Sequence, residues 1–260
     1  MFRTLILQRK TIINLAVNDF KRKYAGSYLG VFWAFAQPII TVLVYWFVFQ
    51  VGFRTTSVGN TPFILWLATG LTPWFFYSDA VSNAMFSFLD YSYLVKKVVF
   101  QISILPVVKI VSSLLIHIVF ILFIVVLYMA YGYPLSLYAL QVVYYVFCTV
   151  ALVTSLSYML SSIVVFFRDL NQIIGIILQF TMWLTPIVWD IKIIPASFIF
   201  ILKLNPLFYI VQGFRDAFIE RVWFWQHGLM SVYFWLLVLA MFGLSVVCFK
   251  RLKPHFADAL

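Results

Sequence analysis

Three ionisable residues lie inside apolar stretches of this sequence, where an unpaired charge would be unfavourable. Asp79 and Lys109 lie near the predicted ends of their stretches, so they can reach a membrane surface and pair there with each other or with lipid headgroups. His117 lies deeper, where a hydrogen bond between helices and a proton relay are both open interpretations. A proton-coupled carrier would need a chain of carboxylates across the membrane, and the sequence lacks one.

Residue patterns that support catalysis, nucleotide binding or metal binding are missing from the sequence. None of the ten glycines precedes a lysine, so there is no Gly-rich loop of the kind that cradles ATP phosphates. The three histidines are far apart, the eight acidic residues are dispersed, and Cys148 and Cys248 each lie alone in an apolar run. We therefore expect no catalytic residue, no metal and no cofactor on this chain, which argues against a membrane glycosyl- or acyltransferase.

The composition indicates an integral membrane protein. Of the 260 residues, 65% are hydrophobic and 10% are charged, whereas soluble domains are about 45–50% apolar and about 25% charged. A net charge of +10 would suggest nucleic acid as a partner of a soluble protein, but in a membrane protein it indicates basic loops on the cytoplasmic side. We expect one transmembrane domain over residues 1–260 and no nucleic-acid partner.

Long intervals without charged residues predict an all-α protein with six transmembrane helices. The distribution of Lys and Arg places both termini in the cytoplasm, because few basic residues then face outward. The outward ones would be Arg54, Lys192, Lys203, Arg215 and Arg221. The predicted spans are Val31 to Val51, Phe63 to Phe88, two crossings between Lys109 and Arg168 around a turn at Gly132-Tyr133-Pro134, Ile173 to Trp189, and Leu229 to Phe249.

The apolar stretch from Asp190 to Arg221 is divided by Lys203 and Asn205-Pro206 into two halves, each too short to cross a bilayer. Half-helices at membrane depth require protein or a water-filled cavity to receive their exposed backbone groups. A seventh span here would also move the basic C-terminal segment to the outside. We therefore predict a re-entrant pair within residues 190–222, with half-helices Ala196–Leu204 and Leu207–Phe218.

Residues 1–29 contain a predicted amphipathic helix that lies in the headgroup plane. Apolar residues at helical spacing form one face, and polar and basic residues form the other. The apolar face comprises Ile13, Ala16, Val17, Phe20 and Tyr24. The basic cluster comprises Arg9, Lys10, Lys21, Arg22 and Lys23, and it has two open interpretations: anchoring to anionic lipid, or binding a diphosphate.

The first inner loop, residues 84–104, is too polar to span a membrane but keeps helical periodicity. Tyr91 and Leu94 would face a partner, beside Asp90, while Lys96 and Lys97 face water. Such a helix suits docking to a separate motor subunit, and a helix lying on lipid is the alternative that the residues leave open.

Tryptophans are concentrated at the predicted span ends, where most would form interfacial belts. A minority could line a lumen and stack on the faces of sugar rings. The candidates for stacking are Trp33, Trp46, Trp183 and Trp189.

The order of these features resembles the permeases of type-2 ABC exporters for polysaccharides, which export O-antigen, teichoic acid or capsule. Each motif is weak alone, but together they cover nearly the whole chain. One departure is Gln101, where the family pattern has proline after phenylalanine. The motifs are Lys21 to Gly30 with Trp33 and Pro38; Asn83 to Leu94 with Lys97 and Pro106; Phe167-Arg168-Asp169-Leu170; and Thr185-Pro186-Ile187 with Asn205-Pro206 and Gly213-Phe214-Arg215-Asp216.

The resemblance implies a homodimeric permease in the bacterial inner membrane, paired with two copies of a cytoplasmic ATPase that binds ATP and Mg. It implies a glycan on an undecaprenyl diphosphate carrier as the substrate, and export of a small lipid or drug is the alternative. The residues of the re-entrant pair would then form an outer gate, with Asn205, Pro206, Phe208, Arg215 and Asp216 as its principal members.

Overall fold

The protein is almost entirely helical. The computed structural model describes residues 6–25, 27–54, 57–96 and 100–260, apart from the side chains of residues 257 and 258. The longer helices are α1 (Arg9–Tyr24), α2 (Phe32–Trp46), α3 (Phe63–Met85), α6 (Leu105–Ala130), α7 (Val142–Val164), α8 (Leu170–Leu184), α9 (Ala196–Lys203), α10 (Pro206–Arg215) and α11 (Gly228–Leu252), and the short ones are α4 (Ser87–Asp90), α5 (Ser92–Val95) and α12 (Phe256–Ala259).

Within the described residues, departures from α-helix are short. A two-stranded antiparallel hairpin, β1 (Ser57–Val58) and β2 (Thr61–Pro62), turns at Gly59, whose φ of +59° suits glycine. This hairpin was not predicted. π-helical segments extend α2 over Phe47–Gly52 and α10 over Asp216–Glu220, and 3₁₀ turns occupy Ile102–Ile104, Leu137–Gln141, Ile191–Ile193, Phe224–His227 and Lys253–His255.

Four described helical segments are long and apolar enough to cross a membrane. They agree with four of the predicted spans. A bent helix pair raises the number to five if it is counted as one span. The four segments are Phe32–Gly52, Ile102–Ala130, Leu137–Val164 and Phe224–His255.

The predicted second span corresponds to α3, which has 23 residues but a less apolar sequence. Most of its residues are buried by neighbouring helices, so protein rather than lipid surrounds much of it. Several of its polar groups have partners within α3 or on neighbouring helices. The Thr69 hydroxyl, for example, lies 2.7 Å from the Leu65 carbonyl and 3.0 Å from the Tyr128 hydroxyl.

The predicted fifth span is too long at its C-terminal end. Helix α8 stops at Leu184, and Thr185 has an extended backbone with ψ of 130°. Pro186 accounts for this, because proline disfavours the helical conformation of the residue before it. With 15 residues, α8 is about 22 Å long, shorter than the apolar core of a bilayer.

The predicted half-helix pair is present. Helix α9 and the segment from Pro206 to Glu220 meet at an angle of 102°. Asn205 begins the second half, where its side-chain oxygen accepts a hydrogen bond from the Leu207 amide at 3.0 Å. Pro206 follows at the first helical position, where its missing N–H has no consequence.

Two of the three packed clusters contain most of the buried apolar residues. The larger joins α3, α7, α10 and α11. The smaller lies at the other end of the molecule, where α1, the α3–α6 loop and the C-terminal segment meet around Phe88 and Phe249. Helix α1 is therefore packed against protein along one face.

The face of α1 that packs on protein is not the apolar face that the sequence assigned to the membrane surface. Ile12, Ala16 and Asp19 are buried, whereas Ile13 is 55% exposed. Helix α1 therefore carries apolar residues on two adjacent faces, one of which packs on protein, and periodicity alone does not tell which. The place of the other face in the headgroup plane stays a prediction.

Candidate functional site

A cavity of about 410 Å³ opens between the end of α1 and helices α2, α3 and α6. Helices α2, α3 and α6 each contribute residues at helical spacing, so one face of each of these three helices lines the cavity. The lining residues used below are Lys23, Trp33, Ala34, Pro38, Asp79, Ser82, Ser113 and His117.

An ion pair in the cavity wall joins α1 to α3. The Lys23 Nζ donates to Asp79 Oδ1 at 2.7 Å, and both side chains are partly exposed. The other Asp79 oxygen accepts from the Ser113 hydroxyl on α6 at 2.6 Å, and Asn83 donates to that hydroxyl at 3.2 Å. Asp79 is thus paired, although with Lys23 rather than Lys109.

His117 lies in the cavity wall without a hydrogen-bond partner. Its side chain is 2% exposed, and neither ring nitrogen has a partner within the described structure. The ring stacks on Phe76 at 4.6 Å between centroids. Of the two interpretations that the sequence left open for His117, the interhelical hydrogen bond is not formed within the described residues.

A second ion-pair cluster links α1, α6 and the first inner loop. Lys109 Nζ lies 2.7 Å from Asp19 Oδ1 and 2.7 Å from Asp90 Oδ2. The Tyr91 hydroxyl also donates to Asp19 Oδ1, at 3.0 Å. Burial, and then the Asp19 carboxylate, raise the pKa of the Tyr91 phenol, so it remains a donor. We call these four residues the Lys109 cluster.

The Lys109 cluster corrects the predicted orientation of the loop. Tyr91 is 4% exposed and faces the protein, and Leu94 packs partly against the same interior. The loop is covered by α1, which the loop sequence does not reveal. Tyr93 is exposed instead, at 54%, and Lys96 is exposed as predicted, while Lys97 lies outside the described residues.

The basic cluster of α1 divides between the two ends of that helix. Arg9 and Lys10 lie roughly 16 Å or more from Lys21 and Arg22 along the axis, since each residue adds about 1.5 Å. Lys23 is already paired with Asp79. The structure does not bring the five residues into one anion site.

Arg215 holds α10 against the turn that follows α8. Its Nη1 donates to the Pro186 carbonyl at 2.6 Å and its Nη2 donates to the Ile187 carbonyl at 2.9 Å. The guanidinium carbon lies 3.7 Å from the centre of the Trp66 ring on α3. Gly70 leaves room for this side chain, because a Cβ there would come within 2.9 Å of Nη2.

Asn205 binds the same turn as Arg215. Its Nδ2 donates to the Thr185 hydroxyl at 2.8 Å. Asp216, which is 2% exposed, accepts from Gln212 at 3.0 Å and lies 2.8 Å from His227 Nε2. Phe208 is buried. Three separate sequence motifs therefore belong to one contact between the half-helices and the turn at residues 185–187.

Comparison with known proteins assigns this chain to a family. A family profile described as "ABC-2 type transporter" matches residues 11–219, from α1 to the end of the half-helix pair. The chain belongs to the ABC-2 type transporter family. Its relatives include two proteins named "O-antigen export system permease protein RfbA" from Klebsiella pneumoniae, which are 29% and 28% identical over 250 residues, 96% of this chain and 94% of each relative.

A protein of the same name from Myxococcus xanthus is 29% identical over 223 residues, 85% of each chain. As a member of the ABC-2 family this chain is a membrane-spanning transport subunit, which agrees with its apolar helices. The matched range contains the cavity, the Lys109 cluster and the contact around Arg215.

The four tryptophans predicted to stack on sugars do not converge in this ABC-2 protein. Trp33 lines the cavity, but Trp46 packs partly against the main core near the far end of α2. Trp189 donates to the Trp183 carbonyl at 3.0 Å, beside the turn after α8. Within this chain, only Trp33 of the four lies in the cavity wall.

Several residues of these sites were not predicted. Asp19 was treated as one dispersed acid, although it recurs with Ile12 and Ala16 on one helical face. Tyr145 on α7 was overlooked as well: its ring packs where a Cβ on Gly213 of α10 would lie, and the two positions are far apart in the sequence. The signal for Asp19 was available: it is the only acidic residue in a strongly basic helix.

Proposed function

We propose that this chain is the membrane permease of an ATP-driven exporter of lipid-linked polysaccharide. The observation that carries the proposal is similarity along 96% of the chain to proteins named as O-antigen export permeases. The half-helix pair supports it, because a broken helix at membrane depth is typical of a transport pathway.

The proposed substrate is O-antigen or wall teichoic acid on undecaprenyl diphosphate, moved from the cytoplasmic to the outer face of the bacterial inner membrane. The proposed topology has six crossings with both termini inside. In this arrangement α3 and α8 complete the set of candidate spans, and α9 and α10 close the outer mouth.

A cytoplasmic ATPase would supply the energy, with ATP and Mg bound to that partner. We place its contact on the exposed side of the α4–α5 loop, at Tyr93 and Lys96. The Lys109 cluster would transmit movement of this loop to α1 and α6, since it ties all three segments together.

The permease would function as a homodimer with two ATPase copies. Helix α8 supports this, because Leu178 is its only residue buried within the described chain. A helix shorter than the bilayer core is better accommodated beside a second subunit than in lipid alone. Its exposed apolar residues are Ile173, Ile176, Ile177, Phe180, Trp183 and Leu184.

Deleting the gene tests this function in the cell. The expected result is loss of one surface glycan and its accumulation, still linked to lipid, inside the cell. Expression of the permease together with its ATPase should restore export, and expression of either alone should not. Unchanged surface glycans after deletion would contradict the proposal.

Export of a small lipid or drug is the alternative within the family. It would be favoured if hydrophobic small molecules stimulated ATP hydrolysis by the purified complex and lipid-linked glycan did not.

A further inference from the structure

The cavity between α1, α2, α3 and α6 combines a buried unsatisfied polar group with an aromatic wall. Ring nitrogens of neutral histidine include one donor and one acceptor. Those of His117 are both unpaired although the side chain is 2% exposed. A buried polar group without a partner is rare in folded proteins and requires an explanation.

Helix α2 contributes to the cavity wall a segment whose backbone lacks one helical hydrogen bond. Pro38 has no N–H and cannot donate to the carbonyl of Ala34, four residues earlier in α2. Both residues line the cavity. The Ser82 hydroxyl and the Trp33 ring contribute further polar and aromatic surface.

The charges in the wall argue against an anionic ligand. Asp79 places a carboxylate in the cavity, and the adjacent Lys23 ammonium is already paired with it at 2.7 Å. A phosphate would meet this carboxylate, whereas an uncharged ligand would not. A purely apolar ligand would leave the nitrogens of His117 unsatisfied.

We propose that this cavity binds one uncharged, hydroxyl-bearing sugar ring, with the His117 imidazole turning to bring a ring nitrogen to one of its hydroxyl groups and with Trp33 packed against the sugar. The volume of about 410 Å³ lies within the range of small-molecule sites, about 300–1,000 Å³. This inference rests on the proposed function, because the ring would belong to the lipid-linked glycan.

Helix α2 is the route by which such a ligand would leave the bilayer. Much of this helix is exposed, including Ile40 at 53% and Leu43 at 52%. A lipid tail can therefore lie along α2 while the attached sugar occupies the cavity between α2 and α6. Trp33, which is 49% exposed, lies between these two environments.

Protection of an introduced cysteine tests binding. The permease–ATPase complex would carry Ser82→Cys in a Cys148→Ala/Cys248→Ala background and react with a small methanethiosulfonate reagent. Octyl glucoside below its micellar concentration should slow the reaction, and octylphosphocholine of the same chain length should not. Ser136→Cys, at a half-buried position outside the cavity, controls for general effects of the amphiphiles.

His117→Phe keeps the stacked ring and removes both nitrogens. We expect the concentration of octyl glucoside needed for protection to rise about fivefold, while the melting temperature stays unchanged or rises because an unsatisfied group is gone. His117→Gln should restore part of the protection. Equal protection by both amphiphiles, no protection, or an unchanged value in His117→Phe would overturn the proposal.

Glycan export in cells separates this inference from the function on which it rests. If the wild-type chain exports glycan and His117→Phe exports at the same rate, the cavity proposal fails and the function stands. If the wild-type complex exports no glycan, the proposed function fails first.

Discussion

The ionisable residues near the predicted ends of the apolar stretches are stabilised by partners far away in the sequence. Lys109 binds Asp19 and Asp90, and Lys23 binds Asp79. The side chains of Lys109 and Asp19 are each 10% exposed, so little water replaces a lost partner. Each ion pair joins two or more segments of the chain. The pairs therefore neutralise these charges and also hold the segments together.

Lys109→Met should therefore destabilise the protein strongly. We expect a loss of about 3 kcal/mol, because Asp19 would remain buried without its cation. Thermal or denaturant unfolding in detergent measures it. Lys96→Met, at an exposed position, is the control and should change little. Adding Asp19→Asn to Lys109→Met should recover part of the loss, and a Lys109→Met protein as stable as wild type would refute this role.

Gly213 is required by a contact of the half-helix pair. A methyl group there would overlap the ring of Tyr145 on α7, which is fully buried. Gly213→Ala should lower the free energy of unfolding by about 1–3 kcal/mol, the usual effect of overpacking. Gly175→Ala is the control, since its Cβ would meet nothing. Equal melting temperatures of the two variants would contradict this prediction, because they would show that the Tyr145 ring moves aside without strain.

At the scale of elements, local sequence signals explain helix ends, although the predicted fifth span ran past Pro186 to Trp189. Pro186 stops α8, and Asn205-Pro206 starts α10, each through the backbone of its own neighbours. The orientation of α1 was not predictable in this way. In a membrane protein, lipid and protein both accept apolar faces, so the sequence does not tell which face packs inward.

The partners of the site residues were harder to predict from the sequence than the helices. The sequence singled out Lys109 and Asp79 as unusual but did not give their partners, which lie 90 and 56 residues away in the chain. Tyr91 was predicted to face a partner protein, because the loop sequence does not show that α1 covers the loop in the folded protein. The motifs around Asn205 and Arg215 were found, and their shared turn became clear only in the structure.

Arg215→Lys should loosen α10 from the turn after α8. Lysine keeps the charge but lacks the planar fork that reaches two carbonyls and stacks on Trp66. We expect a loss of about 2 kcal/mol in unfolding free energy and faster labelling of Thr185→Cys in the same chain. Arg221→Lys, at an exposed position, serves as the control. Unchanged labelling of Thr185→Cys would contradict this docking role.

The whole molecule has two differently organised ends. At one end α1, the α4–α5 loop and α6 are tied by ion pairs, and at the other α9 and α10 are held by carbonyl and amide contacts. The cavity opens beside the first end. In the proposed exporter, this arrangement places the proposed ATPase contact and glycan site together, and the proposed gate on the far side.

Transport by the purified protein is the most direct test of this account. The permease and its ATPase would be reconstituted into vesicles that contain a fluorescent lipid-linked saccharide, and the labelled sugar reaching the opposite leaflet would be measured. We predict ATP-dependent transfer that requires both subunits and is lost when the ATPase cannot hydrolyse ATP. Transfer by the permease without the ATPase, or ATP-driven transfer of hydrophobic drugs but not of the saccharide, would contradict the central claim.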